Sequence, residues 1–276
     1  MQEKSVYENE INERLKRVLN DPELYSYCLK AYINANQKTG FEKPEETAEF
    51  VLKTLAGELS LIEKEKLIWE ILGGYVVHGI VFRDYLPVMI QNRVNKMYSQ
   101  IGAYILDSGV AADYGAGLGD FMRKVKKEKP NLMIEGWDIG NDDAKGDVNI
   151  YDGKHIPRDN QYYDQVWQTT VLHHFSNPID GVKEMARLAK KRIILLETLP
   201  LGWLGDKEKD FDVTFVADYY YRLLFKSGEP VPGSYRTKDE WIKFFENEGW
   251  RCVNSEVFGN DIDFAEFSHV RIVLEK

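Results

Sequence analysis

An acid followed by three glycines at alternate positions, Asp113-Tyr114-Gly115-Ala116-Gly117-Leu118-Gly119, is the stretch of this chain best suited to hold a ligand. The small, apolar run Val110-Ala111-Ala112 leads into it and Asp120-Phe121 leads out, so it reads as a strand, a tight turn and the start of a helix. Without Cβ atoms in the way, a nucleotide-like molecule can lie against bare backbone at such a turn. A dinucleotide fingerprint would place its last glycine where this chain has Asp120, so the Gly-x-Gly-x-x-Gly pattern fails at its final position. Two further acids close predicted strands. Asp138 ends Leu132–Asp138, where a carboxylate can accept hydrogen bonds from both hydroxyls of a ribose. Asp152 opens Asp152-Gly153-Lys154-His155-Ile156-Pro157, where a carboxylate can accept from the exocyclic amine of adenine. Together they outline an adenosine-shaped site with no signature for a diphosphate.

The elements that must position these residues alternate between strand and helix from Val110 onward. After the glycine turn a helix runs from Asp120 to Lys129 and stops at Pro130. Strands are expected at 132–138, 147–152, 163–170 and 191–197, with a helix from Asn177 to Lys190 before the last of these. Such alternation implies a mostly parallel sheet with right-handed crossovers, whose ligand lies at the carboxyl ends of the strands. A helix from Lys238 to Glu248 and a hairpin of Arg251–Val257 with Val270–Leu274 close the chain. Residues 1–105 carry helical patterning instead. Asp21-Pro22 reads as an N-cap followed by proline at the first helical position, Lys43-Pro44-Glu45-Glu46 opens another helix, and Ser60 with Glu63 has the form of a capping box. A longer helix is expected from Asp84 to about Ile105. The expected division is a helical cap or lid over 1–105 and a ligand-binding domain over 106–276. Within the latter, 201–236 is read as a long aromatic-rich loop on the substrate side, holding Trp203, Phe211, Phe215, Tyr219, Tyr220, Tyr221, Phe225 and Tyr235.

The ordered set Asp113 to Gly119, Asp138, Asp152-Gly153 to Pro157, Tyr163-Asp164-Gln165-Val166 and Val171-Leu172-His173-His174-Phe175 resembles the class I S-adenosylmethionine-dependent methyltransferases. Within them it is most similar to the small-molecule branch known as the methyltransferase type 11 group. The likeness covers residues 108–200 and, more weakly, the terminal hairpin, and leaves out the first hundred residues. It implies a Rossmann-like α/β fold with a seven-stranded, mostly parallel sheet whose last strand is antiparallel. It also implies S-adenosylmethionine as co-substrate: Gly115 and Gly117 beside its methionine part, Asp113 at its amino group, Tyr114 within the same turn, Asp138 at the ribose, Ile139 against adenine, Asp152 and Gly153 at the adenine edge, and Gln168 or Thr169 beneath the sulfonium. Only residues 140–146 separate the second and third strands, where the family usually places a helix.

A methyl group on a sulfonium leaves readily, so the protein must align an acceptor and, where needed, remove its proton. His173 and His174 are the base candidates, because histidine titrates near neutrality. Glu197, Tyr219 and Tyr220 stand behind them. The segment Gln168-Thr169-Thr170-Val171 is not the Asn/Asp-Pro-Pro-Tyr of adenine- and glutamine-methylating relatives. No carboxylate pair there would hold magnesium, and no metal is expected. A formal net charge of −9 weighs against nucleic acid as a partner, and the dense basic run Arg123–Lys129 reads as a solvated helix end. These features point to a small acceptor, partly apolar or aromatic. Two distant cysteines, Cys28 and Cys252, suit a reducing cytoplasm. The apolar stretch from Leu67 to Ile90 is broken by Glu70, Arg83, Asp84 and Pro87, so no membrane span is expected. Three rival readings remain at this point: a nicotinamide dehydrogenase, a non-catalytic binding or regulatory subunit of the same fold, and a methyltransferase acting on protein or RNA.

Overall fold

Gly109–Tyr114 (β3) forms the inner strand of the sheet because its residues are small or aromatic and almost all withdrawn from solvent. The computed structural model describes residues 2–140, 146–225, 233–259 and 267–276, with side chains from residue 8 onward. Before β3 come α1 (Gln2–Asn20), α2 (Pro22–Thr39), α3 (Pro44–Ala56), α4 (Leu61–Leu72), a two-residue hairpin of β1 (Val76–Val77) and β2 (Ile80–Val81), and α5 (Phe82–Ile101). After it come α6 (Asp120–Glu128), β4 (Leu132–Asp138), β5 (Val148–Ile150), β6 (Tyr163–Thr169), α7 (Pro178–Leu188), β7 (Ala189–Thr198), α8 (Lys207–Phe225), α9 (Lys238–Asn247), β8 (Arg251–Phe258) and β9 (His269–Glu275).

The large sheet has seven strands in the order β5-β4-β3-β6-β7-β9-β8. β3 pairs in parallel with both β4 and β6, while β9 runs antiparallel to β7 and to β8. The seven-stranded, mostly parallel sheet with its last strand reversed is therefore present as expected, and so is the terminal hairpin. Chain order reverses between β3 and β6, and the crevice at their carboxyl ends is the switch point where such sheets take ligands. One face of the sheet is packed by Ala112, Tyr114, Trp137, Val166, Val182, Met185, Ile193 and Trp241, among others. The notable shortening between β4 and β5 falls on residues 141–145, outside the described residues.

The chain divides into two compact units. One is drawn from Met1–Ile90, Pro200–Pro232 and Asp263–Phe267, the other from Gln91–Leu199, Gly233–Ile262 and Ser268–Lys276. In the first, Asp21 caps α2 by accepting from the amides of Glu23 and Leu24, and Ser60 and Glu63 complete a capping box on α4. The expectation of a loop over 201–236 is corrected there: residues 207–225 are the helix α8. Asp206 Oδ1 accepts from the amides of Glu208 and Lys209 and so starts it. Phe211, Phe215 and Tyr219 follow at a spacing of four, which is a helical face rather than a loop surface. That face is core. Tyr32 stacks on Tyr220 with centroids 4.1 Å apart and donates to Val216 O at 2.8 Å, and Arg14 pairs with Asp212 at 2.9 Å. Helix α5 begins two residues earlier than expected and ends at Ile101, where a 3-10 turn over Gly102–Tyr104 leads toward β3. Among the described residues no helix is long and apolar enough to cross a membrane.

Candidate functional site

The glycine turn is held against the end of the neighbouring strand by its own amides. Gly115 and Ala116 donate to Trp137 O at 2.8 and 3.0 Å, and Gly117 donates to Asp138 Oδ2 at 2.8 Å. The turn and the acid expected at the ribose are thus one hydrogen-bonded unit. Asp138 Oδ1 accepts from the Gly140 amide at 3.0 Å. Each carboxylate oxygen carries two lone pairs, so both keep capacity for a hydroxyl. Ile139, next along, is half exposed and lies against Gly153, an apolar surface beside two acids. Asp152 Oδ1 accepts from the amides of Lys154 and His155, both at 2.8 Å, and these bonds hold its carboxyl below the ordinary range. It therefore shapes the turn over 152–155 with one oxygen and leaves the other outward.

Asp113 and Tyr114 point to opposite faces of the sheet. Tyr114 is fully buried, its ring stacked on Phe175 at 6.1 Å, so only its backbone belongs to the turn. Asp113 is 1% exposed and neither carboxylate oxygen has a hydrogen-bond partner. Burial pushes its carboxyl up to about 8, with the Trp167 indole opposing and the Asp138 charge adding to the rise. At the end of β6, Gln168 Oε1 accepts from the Val171 amide at 2.9 Å while its buried Nε2 has no partner. Thr169 is followed by Thr170, a β-branched residue at φ +56°, a conformation that such residues rarely adopt outside functional or over-determined positions. The Thr170 amide is tied to Leu196 O, and its hydroxyl donates to Thr169 O at 2.7 Å and accepts from Arg93 at 2.9 Å.

Beyond Thr170, a 3-10 turn over Leu172–His174 carries both histidines. His173 is buried, and its Nδ1 meets Glu197 Oε2 at 2.7 Å. Glu197 is itself fully buried and accepts from the amides of Val171, Leu172 and Thr198 at 3.0, 2.6 and 3.2 Å. Burial works against its charge, but His173, the hydrogen bond to it and the backbone donors hold the carboxyl below its ordinary value. With a carboxylate accepting at Nδ1, the neutral ring keeps its proton there and leaves Nε2 as the basic nitrogen. Tyr235 stacks on His173 at 5.4 Å, and His174 lies 4.2 Å from it. The two tyrosines considered as bases take partners within the helical unit instead: Tyr219 bonds Glu65 and Tyr220 bonds Asn36, and burial pushes the Tyr220 phenol up. Sequence reasoning did not find Arg93 or the strain at Thr170. Neither lies in a motif, and only the folded path of α5 brings Arg93 to the end of β6.

Solved structures similar to this chain include the [4+2]-cyclase SpnF, with a TM-score of 0.51 and 10% identity over 66% of this chain and 80% of that one. The order β5-β4-β3-β6-β7-β9-β8 with β9 reversed is the sheet expected of the class I methyltransferases. This chain has the class I methyltransferase fold. An S-adenosylmethionine-dependent methyltransferase from Methanosarcina mazei (TM-score 0.48, 14% identity, 65% of this chain and 97% of that one) and another from Aquifex aeolicus (0.44, 13%, 67% and 97%) are also similar. No protein-family model matches the chain, and no curated protein matches it in sequence.

In this methyltransferase fold the first two turn glycines are required for different reasons. Both have positive φ, +74° at Gly115 and +53° at Gly117. A Cβ on Gly115 would lie 2.5 Å from both Cγ atoms of Val171, whereas one on Gly117 would meet nothing within 4 Å. Gly115→Ala is expected to cost about 2–4 kcal/mol of stability, from left-handed strain plus overpacking against a stiff β-branched neighbour. Gly117→Ala is expected to cost only about 1–2 kcal/mol, the strain alone. Urea unfolding of the two variants checks the contrast, and equal losses would show that the space above Gly117 is not open. That open space, the unpartnered Asp113 carboxylate and the Gln168 amide fit a small polar ligand lying over the turn.

Proposed function

We propose that this chain transfers a methyl group from S-adenosylmethionine to a small, partly apolar or aromatic acceptor in the cytoplasm. The observation that carries the reading is the bond from Gly117 N to Asp138 Oδ2, which joins the glycine cradle and the ribose acid into one preformed surface. On that surface Asp138 takes the ribose hydroxyls, Ile139 packs on adenine, Asp152 and Gly153 line its edge, and Gly115 and Gly117 let the methionine part pass. Asp113 faces the amino group, and Gln168 and Thr169 lie below the sulfonium. The cofactor supplies a methyl on a good leaving group. The chain supplies alignment and a base, His173, oriented through Nδ1 by Glu197, with His174 beside it. Tyr235 against His173 supports an acceptor with an apolar or aromatic part. The two cysteines are unpaired, which supports the cytoplasm.

Calorimetry is expected to show S-adenosylmethionine or its demethylated product binding, and Asp138→Ala to weaken that binding tenfold or more, about 1.4 kcal/mol or above. Unchanged affinity in the variant would remove Asp138 from the ribose, and no binding by the parent protein would remove the cofactor. Because one similar structure is a [4+2]-cyclase and a fold does not fix a reaction, the decisive assay is transfer of labelled methyl into small-molecule extracts. Label entering protein or RNA instead would overturn the acceptor class, and binding without transfer would favour a regulatory subunit.

A further inference from the structure

We propose that Glu184, together with Arg187, sets the base specificity of the cofactor site by fixing the turn over 152–155, so that it takes a 6-aminopurine and rejects a 6-oxopurine. The inference rests on the function proposed above, in which the outward oxygen of Asp152 faces the exocyclic amine of adenine. An amine donates where an oxo group only accepts, so a carboxylate held at that edge tells the two bases apart. Discrimination by one oxygen requires its position to be held to within about 0.5 Å.

The bonds from the amides of Lys154 and His155 to Asp152 Oδ1 tie the turn to itself, and Asp152, Lys154 and His155 are all exposed. Its anchors to the rest of the fold are at its two ends. Before the turn, the Tyr151 amide donates to Asp138 O at 3.0 Å, the main chain of the ribose acid. After it, Ile156 is fully buried, and α7 takes both of its backbone groups. The Ile156 amide donates to Glu184 Oε1 at 2.7 Å, and its carbonyl accepts from Arg187 Nη2 at 3.0 Å.

Glu184 and Arg187 are neighbours on one face of α7, three residues apart. Glu184 is 6% exposed, and Arg187 forks onto it, Nη2 to Oε1 at 2.7 Å and Nε to Oε2 at 2.8 Å. The same guanidinium reaches further along the loop through Nη1, to Arg158 O at 2.7 Å and Asn160 Oδ1 at 3.2 Å. His155 Nδ1 stands 3.7 Å from Glu184 Oε2, on the exposed side. The helix that carries the pair is itself firmly seated. Asn177 caps it by accepting from the Ile179 amide, and Val182, Met185 and Leu188 are fully buried. At Gly181 the helix lies so close to Leu172 that a Cβ would stand 2.6 Å from Cδ2. The adenine edge is therefore referred to the sheet core through one buried ion pair rather than through its own turn.

The test measures, by calorimetry, binding of S-adenosylhomocysteine and S-inosylhomocysteine, which carry adenine and hypoxanthine on the same skeleton. The parent is expected to prefer the adenine form by about tenfold, as for a hydrogen bond onto a charged acceptor. Asp152→Ala is expected to bind both forms within about twofold of each other. Glu184→Gln keeps an acceptor for Ile156 but loses the fork to Arg187, and its preference should fall below about threefold. Adding Glu184→Gln to Asp152→Ala should change the ratio no further, because the pair acts through Asp152. A pair that only stabilised the fold would weaken both forms alike and leave the ratio at the parent's. If Glu184→Gln does not fold, Arg187→Lys, which keeps the charge without the fork, carries the test with the same expected loss. The parent's ratio retained in the variant overturns the role of Glu184 and leaves the cofactor standing. A parent without preference, or a preference that survives Asp152→Ala, overturns discrimination at Asp152 and this inference with it, and again leaves the cofactor. Failure of the parent to bind either form overturns the cofactor and this inference together.

Discussion

Glu197→Ala is expected to remove about 3–5 kcal/mol of folding stability, the cost of leaving one half of a buried charged pair without the other. A single carboxylate at the end of β7 serves three backbone amides and the Nδ1 of His173, all in the interior. Its removal strands Leu172 N and the imidazole away from water. Because the folded-state carboxyl lies below its ordinary value, its contribution is present at neutral pH and is lost as pH falls through that lowered value. Glu197→Gln separates the two jobs of the residue. The amide keeps one acceptor for Val171 and Leu172, so the expected cost falls to about 1–3 kcal/mol. Toward His173 it can present its NH2 instead, which needs an acceptor at Nδ1 and moves the ring proton to Nε2. On the proposed reading that removes the base, and methyl transfer is expected to fall by about 10²–10⁴ with the stability largely kept. Urea unfolding and a pH–rate profile check both halves. A Glu197→Ala protein within about 1 kcal/mol of the parent would mean that the carboxylate is not the keystone its four donors suggest.

The parts of the site that were legible in the sequence are those in which a residue's role depends on its chain neighbours. The glycine turn has the positive φ it needs at Gly115 and Gly117, and Asp138 closes β4 as the sequence outlines, whereas the strand expected to run to Asp152 stops at Ile150. The reversal of β9 came from resemblance rather than from periodicity, since no local pattern distinguishes the direction of a buried strand. Tyr219 and Tyr220 were misplaced because aromatic content was weighed above spacing: Phe211, Phe215 and Tyr219 already mark a helical face. Arg93 was invisible for the opposite reason. Seventy-seven residues separate it from Thr170, and no local rule joins them. His173 and Glu197 were both named as candidate bases, but their pairing was not foreseen, because only the parallel pairing of β6 and β7 brings the two together.

Asp113→Asn is expected to abolish a pH dependence of stability that the parent shows across neutrality. Asp113 is on the central strand, flanked by β4 and β6, with no partner for either oxygen. An acid whose folded value is about 8, against about 3.9 unfolded, binds more protons when folded throughout that interval. Stability therefore falls as pH rises from about 4 to about 8, by up to about 1.4 kcal/mol per pH unit. The carboxyls of Glu135, Asp152 and Asp164 are shifted the other way and complete their titration on the acid side, so they leave this window untouched. Between pH 5.5 and 7.5 the parent should lose about 2–3 kcal/mol relative to Asp113→Asn in urea unfolding, and parallel curves would show that Asp113 is already ionised in the folded chain. The same strained proton connects stability to the proposed ligand. A cationic ammonium or sulfonium beside Asp113 favours its charged form, so cofactor binding near neutrality should release a proton. Its signature is a calorimetric heat that changes with the ionisation enthalpy of the buffer in the parent and not in Asp113→Asn.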